Sequence, residues 1–496
     1  MLHPTHPAPD SPPEPAPAAE RTHDPLAAAL GNASLLGVGY LMLGRRELAV
    51  ATGTFTLALL YVDFRAARPW CEAVLLLWWA ALVAHGWFLA GGRRGRTVAR
   101  GQRLLALGIA CAVLLPVGFV RFDAARIERS VADALGRGDC SRVLVLQDGV
   151  RLHHRVVGAP PAARSDETAE LCDRLLEAGA RLGTRLSDED GLPHTAGTSG
   201  TADVDDGLEE EFRVLASVLE DSANEKAVET VLNGFLDDLP ADEACRTVTV
   251  TDWLDRRLPT HDVLDRYSGA VERAVERTEP AALAECGDDL ADFEQWQDAR
   301  DHYRRLLARY PDDERADEAR KGVVRATRAI ELENVTRLLS ETDGEQPRYC
   351  SKPSKYSGAA PYRKGKTNRA LFGGPTEYTD QLPRKWRTDD PAKAVLVVCV
   401  GEAKFGTSVR TCPYEYGPAW TDSTNVTFHK VAIPVKAYEL RTGKLVADRT
   451  VEIGGTSCPH SLSYHTFGGF DPGPPDQYVT PSDADVRAGF ESLIKR

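Results

Sequence analysis

The sequence predicts a multi-domain chain: a four-helix transmembrane anchor, an α-helical repeat region and a small C-terminal α+β (α/β) domain. Three observations carry this. Nearly all the long apolar runs of the 496 residues fall between 25 and 122. From about Phe122 the chain turns acidic and helix-periodic. From residue 346 Tyr, Gly and Pro become frequent and β-branched runs replace helical spacing. The expected layout is a Pro-rich tail (1–24), four spans (25–122), helical repeats (123–345, with a flexible insert at 186–207) and an α+β domain (346–496).

The tail, MLHPTHPAPDSPPEPAPAAERTHD, is nearly free of large apolar side chains and is expected to be disordered. It lacks the basic and apolar regions of a cleaved signal peptide. The expected spans are PLAAALGNASLLGVGYLML (25–43), LAVATGTFTLALLYV (48–62), CEAVLLLWWAALVAHGWFLA (71–90) and LLALGIACAVLLPVGFV (104–120). Each is close to the roughly 17–25 residues that cross the hydrocarbon layer, the second being shortest. They carry almost no charge, which separates them from buried helices of a soluble core. His85 and Cys111 fall inside spans and are expected to pack against neighbouring helices. The stretch 37–65 resembles a two-helix TM2-type hairpin through Gly37, Tyr40, Gly44, Arg45 and Asp63; that likeness implies nothing about activity.

Loop charge orients the bundle. The first loop holds Arg45 and Arg46, and the third holds Arg93, Arg94, Arg96, Arg100 and Arg103. The tail offers Arg21 and the second loop Arg65 and Arg68. Basic loops face the cytoplasm, so both termini are expected outside, in a multi-pass protein of the plasma membrane. The net charge of −13 argues against a nucleic-acid partner, which needs a basic footprint.

In ECGDDLADFEQWQDARDHYRRLLARYPDDERADEARKGVVRAT (285–327), Gly287, Ala299, Tyr303 and Pro311 fall at tetratricopeptide-repeat spacing. Small residues let the paired helices approach, Tyr303 wedges between them, and Pro311 ends the second helix. Leu283 and Leu290 stand where that family prefers aromatics. The resemblance implies helix pairs that bind partners rather than catalyse. EEFRVLASVLEDSANEKAVETVLNGFLDDL (210–239) echoes it, with Phe212 opposite Tyr303. A cysteine pair accompanies each segment. Cys140 is expected to bridge Cys172, and Cys245 to bridge Cys286; the alternative is small buried thiols. Bridges require an oxidising compartment, in agreement with the outward orientation.

In the C-terminal domain AKAVLVVCVGE (392–402) suits a buried strand, and 426–455 reads as two strands joined at RTGK. PSDADVRAGFESLIKR (481–496) has an N-cap in Ser482 and an apolar stripe of Val486, Phe490 and Leu493. Cys350, Cys399, Cys412 and Cys458 allow three pairings. Cys412 with Cys458 is expected, since each precedes a proline at the exit of an extended segment.

TSCPHSLSYH (456–465) brings Cys458, His460 and His465 together, with His429 on a neighbouring strand. One Cys with two His lacks the second ligand pair of a zinc motif. APYRKGKT (360–367) has the spelling of a P-loop but follows a polar, turn-like segment rather than a buried strand. No nucleotide and no cofactor are therefore expected. The basic, Tyr-interleaved run Lys352, Lys355, Arg363, Lys364, Lys366 and Arg369 could meet anionic envelope polymer or lipid headgroups.

As a whole the chain resembles multi-pass membrane proteins of GC-rich Gram-positive bacteria that carry a tetratricopeptide-like extracytoplasmic region. The resemblance implies location and architecture, not a reaction. The expected function is a non-enzymatic, membrane-anchored cell-envelope protein whose helices hold a protein partner. The alternative is an extracytoplasmic hydrolase or metal-dependent enzyme around His429, Cys458, His460 and His465.

Overall fold

A computed structural model of the chain describes residues 24–66, 68–92, 99–157, 159–187, 199–257, 264–416, 422–465 and 473–495. Residues 1–23 of the Pro-rich tail, 188–198 of the insert, and Arg93, Arg94 and Arg96 of the third loop lie outside these. The chain divides into two compact units, Met1–Glu276 and Arg277–Arg496.

The first unit opens with short helices α1 (Pro25–Ala33) and α2 (Val38–Met42), then α3 (Arg46–Ala66), α4 (Pro69–Leu89) and α5 (Arg100–Leu135). Among the described residues three helices, Arg46–Ala66, Trp70–Leu89 and Arg100–Leu135, are long and apolar enough to cross a membrane. The first expected span is therefore corrected: 25–43 is not one helix. Leu35 and Gly37 take left-handed φ of 62° and 67°, which breaks it. Nine helical residues rise only about 13 Å, under half the hydrocarbon thickness.

Carbonyls around the break find partners within the protein, as backbone at membrane depth must, while Asn32 Oδ1 has none among the described residues. Ser34 Oγ donates to Gly31 O at 2.7 Å and Trp79 Nε1 to Ala33 O at 3.0 Å. Asn32 Nδ2 donates to Leu82 O at 3.2 Å. The two short helices cross on glycine: a Cβ on Gly31 would lie 2.7 Å from Gly39 N. Tyr40, 1 % exposed, bonds His85 Nδ1 at 2.6 Å. Cys111, expected against a neighbouring helix, is exposed on α5. At the N-cap of α1, Asp24 accepts from Ala99 N at 3.1 Å and Arg103 Nε at 2.6 Å, at the start of α5. Both ends of the α1–α2 pair thus lie at the end of the bundle where α3 and α5 begin.

α5 continues past its apolar part, so Val131 and Ala134 enter a helical core. α6 (Cys140–Gln147) is followed by the short α7 (Leu152–Val157), and the core is built with α6, α8 (Ala159–Thr184), α9 (Ser199–Val218), α10 (Glu225–Asp237), α11 (Ala244–Arg257) and the start of α12 (Ser268–Asp292), which runs on into the second unit. Residues 199–207 of the expected insert are helical, with Val204 buried. Phe212 is fully buried, its ring 4.7 Å from Trp253. Cys140 is bridged to Cys172, joining α6 to α8. Cys245 and Cys286 are also disulfide-bonded.

In the second unit α13 (Trp296–Arg309) and α14 (Ala316–Ser340) follow the end of α12. Tyr303 stands between glycines: a Cβ on Gly287 or on Gly322 would lie 2.7 Å from its ring. Ala299 is fully buried beside it on α13. Pro311 lies just beyond the end of α13, in the turn before α14. The end of α14 packs into the sheet domain through Val335 and Leu338, against Tyr349, Val397 and Tyr438.

The strands are β1 (Thr342–Asp343), β2 (Gln346–Pro347), β3 (Ala370–Gly373), β4 (Leu396–Val400), β5 (Lys404–Tyr416), β6 (Asp422–Glu439), β7 (Lys444–Ile453) and β8 (Asp476–Tyr478). β1 and β2 form a small ladder. β6 organises the rest. It pairs antiparallel with β4, β5 and β7 and parallel with β8, and β4 also pairs parallel with β3. Such a mixed, mostly antiparallel sheet is the α+β form of the expected domain. β4 is buried throughout, as its apolar run requires. Helix α15 (Asp483–Ile494) starts in a capping box of Ser482 and Asp485 and buries Val486, Phe490 and Leu493. Cys350 bridges Cys399, and Cys412 bridges Cys458. After APYRKGKT the chain enters β3, not the helix that a phosphate-binding loop would open.

Candidate functional site

β5 and β6 together outrun the other strands. Residues 427–429 of β6 lie between β5 and β8, while 422–426 pair with β5 alone. Beside this overhang opens a cleft of about 680 Å³. One wall is the end of the β5–β6 ladder, with Tyr414, Ser423 and Thr424. The other is the segment Cys458–Tyr464, the first part of the stretch that sequence reading singled out.

Three fastenings hold that segment. The Cys412–Cys458 bridge ties it to β5. Tyr414 OH donates to Pro459 O at 2.7 Å. Gly455 and Thr456 run against Thr480, with mutual 2.9 Å backbone hydrogen bonds between Thr456 and Thr480. Beneath lies a small apolar cluster of Cys412, Val426, Phe428 and Val479. Cys458 itself takes φ 55°, a left-handed value uncommon for a side-chain-bearing residue.

The four residues of the expected chemical site are not brought together. Cys458 and His460 line the cleft. Cys458 is bonded to Cys412, so it has no thiolate to offer a metal or a substrate. His465 is exposed and does not line the cleft. His429 is committed elsewhere. Its Nε2 lies 2.7 Å from Asp476 Oδ1 and its Nδ1 lies 3.1 Å from Gly406 O. Both partners are acceptors, so the geometry is satisfied in full by the doubly protonated ring. The Asp476 carboxylate raises the His429 pKa above its ordinary value, and the Gly406 carbonyl adds to the effect. A ring with both nitrogens occupied has no lone pair with which to act as a base. Among the described residues no three His, Cys, Asp or Glu side chains converge as metal ligands.

Sequence reasoning missed Asp476, Tyr414, Tyr464 and Gln477. Asp476 lies 47 residues beyond His429 and meets it only through the parallel pairing of β8. No local spacing announces such a pair.

A second groove, of about 740 Å³, runs along α14. Arg320, Lys321, Arg325 and Arg328 flank an apolar row of Val324, Leu332 and Tyr356. Tyr356 brings in the basic, Tyr-interleaved segment noted in the sequence. Lys355 of that segment pairs with Glu331 at 3.2 Å.

No family model, curated protein or solved structure matches the chain. Its class follows from the geometry alone. Three membrane-compatible helices and disulfide-bonded cysteines define a membrane protein with an oxidising region outside the cytoplasm.

Proposed function

We propose that the chain is a non-enzymatic, multi-pass anchor of the cell envelope whose extracytoplasmic helices hold a protein partner. The observation that carries this reading is the conjunction of three membrane-length helices with bridged cysteines in the region that follows them. With three spans, the end of α3 and the end of the apolar part of α5 share one side. The basic loops share the other, which is the cytoplasmic one by the positive-inside rule. The α1–α2 pair then enters and leaves on the cytoplasmic side as a re-entrant hairpin. This moves the N-terminus inside, opposite to the placement expected from four spans. Asp24 bonded to Arg103 supports that placement.

The tetratricopeptide-like joint at Tyr303 supports the scaffold role. The α14 groove gives a partner both apolar contact and charge, and the basic residues beside it suit an anionic polymer or headgroup as well. The enzyme reading centred on His429, Cys458, His460 and His465 is weakened by the bonded state of Cys458 and the double commitment of His429.

The test is a pair of alkaline phosphatase fusions in a bacterial host, one after Phe122 and one before Asp24. The first is expected to be active and the second silent. Activity of both would restore a four-span anchor. A silent fusion after Phe122 would place the bridged region in the cytoplasm and refute the proposal.

A further inference from the structure

The cleft beside the Cys412–Cys458 bridge is a built surface for which the anchor and scaffold reading has no use. We propose that it binds a neutral oligosaccharide. The inference rests on how the walls are held and on the chemistry they present.

The walls are held in the free protein. The bridge and the Tyr414–Pro459 hydrogen bond fix one tyrosine and the loop that faces it. The second tyrosine, Tyr464, lies against Gly473, where a Cβ would come within 2.6 Å of its ring. Gly473 has φ 78°, so both conformation and space require glycine. Ordered aromatic walls lower the entropy cost of binding. The volume of about 680 Å³ falls within the range of small-molecule clefts.

The chemistry is selective. Among the described residues no Lys or Arg lines the cleft, which speaks against phosphate, sulfate or acidic polymer. The polar lining includes His460, Thr424 and, without a partner of their own among those residues, the Glu415 carboxylate, the Gln477 amide and the hydroxyls of Ser423, Ser461 and Ser463. Among the described residues none of these side chains is engaged in a hydrogen bond. A purely apolar ligand would bury them unpaired, at a cost of about 1–3 kcal/mol each. A pyranose ring answers both features. Its C–H face lies on an aromatic ring, and its hydroxyls both donate and accept at the rim. Pro-rich peptides also pack on tyrosines, but along their proline residues they present carbonyl acceptors alone. Glu415 is itself only an acceptor when ionised, so it disfavours such a peptide and favours a donor-bearing sugar.

The test uses the full chain in detergent with cellohexaose, maltohexaose and chitohexaose, read by saturation-transfer NMR and calorimetry, with decaproline as the competing class. At least one of the sugars is expected to bind saturably. Tyr464→Ala is expected to weaken it about tenfold, and Tyr464→Phe, which keeps the face, by no more than about threefold. Ser461→Trp, at an exposed loop position, fills the cleft and tests occupancy should Tyr464→Ala misfold. The proposal falls if none of these sugars binds, if decaproline binds in their place, or if bound sugar ignores both Tyr464→Ala and Ser461→Trp. Failure here leaves the membrane topology untouched, and a failed fusion test leaves the cleft untouched.

Discussion

The second unit fastens its two ends in different proportions of shape and bonding. At the helical end Tyr303 is sunk between Gly287 and Gly322, a fit of shape that joins α12, α13 and α14, with the Glu279 and Asp288 carboxylates bonded across the same helices. At the far end of the β5–β6 ladder the apolar cluster is small; a disulfide and one tyrosine hydroxyl hold the loop, and an ionic histidine ties β8 to β6. The contrast follows from burial. A helix array hides apolar stripes on several neighbours, whereas a two-stranded overhang hides one face of a few residues. Where apolar burial is scarce, covalent and charged fastenings carry more of the stability. The overhang should therefore respond to reductant and pH, and the helical joint to changes of shape.

Removing the bridge is the strongest way to break this comparison. A cross-link spanning 46 residues lowers unfolded-chain entropy by an amount equal to about 4 kcal/mol. Cys412→Ser with Cys458→Ser should raise amide exchange in Thr456, Val479 and Thr480 by a large factor, while α13 amides keep their protection. Equal loss at both ends would show that they are not fastened independently.

Next in size is the joint. Gly→Ala inside an exposed helix adds stability through propensity, by about 1 kcal/mol. Here the sign should reverse. The new Cβ would meet the Tyr303 ring at 2.7 Å, and the ring is stopped on its other side by the opposite glycine helix. Gly287→Ala and Gly322→Ala should each cost about 1–3 kcal/mol, as overpacking does. Thermal unfolding of the purified variants measures it. A neutral or stabilising result would mean that the ring has room to move.

The His429 fastening comes third, and its sign is set by the raised pKa. The stabilisation is fully present below the unfolded value of about 6.5 and is lost as pH rises through the higher folded value. The Val479 amide, which donates to His429 O at 2.9 Å, reports it. Its protection, corrected for intrinsic exchange, should fall as pH rises from 6.5 toward 9, and His429→Phe should flatten the profile. A protection that grows with pH in this range would contradict the doubly protonated ring.

These contrasts also explain what could be read from the sequence. The Gly287, Ala299, Tyr303 spacing was legible because helix packing repeats at short intervals along the chain. The strand of residues 396–400, the turn at RTGK and the Ser482 cap were legible for the same local reason. The interruption of 25–43 was marked by Asn32, Ser34 and Gly37, but a hydropathy reading sums over such residues. Whether they break a span depends on partners such as Trp79 and Leu82, some 46 and 50 residues away. The cleft was legible only as a stretch rich in Cys and His. Its tyrosines, glutamine and carboxylate come from three separated segments that only the β6 pairings bring together.

The smallest expected effect sharpens the comparison most. Tyr303 OH donates to Asp288 Oδ1 at 2.6 Å, and Arg325 Nη2 lies 3.2 Å from the same oxygen. Burial, with that donated bond, pushes Tyr303 up to about 12, so the hydroxyl stays protonated across the accessible pH range. If shape holds the joint, Tyr303→Phe should cost only about 1 kcal/mol, the net worth of one hydrogen bond. The ring still fills the space between the glycines, and Arg325 remains beside the Asp288 carboxylate. The variant should also leave the pH dependence of stability between 5 and 9 unchanged, in contrast to His429→Phe at the other end. A loss well above that magnitude for Tyr303→Phe would mean that the hydroxyl, and not the ring, is what joins the helices.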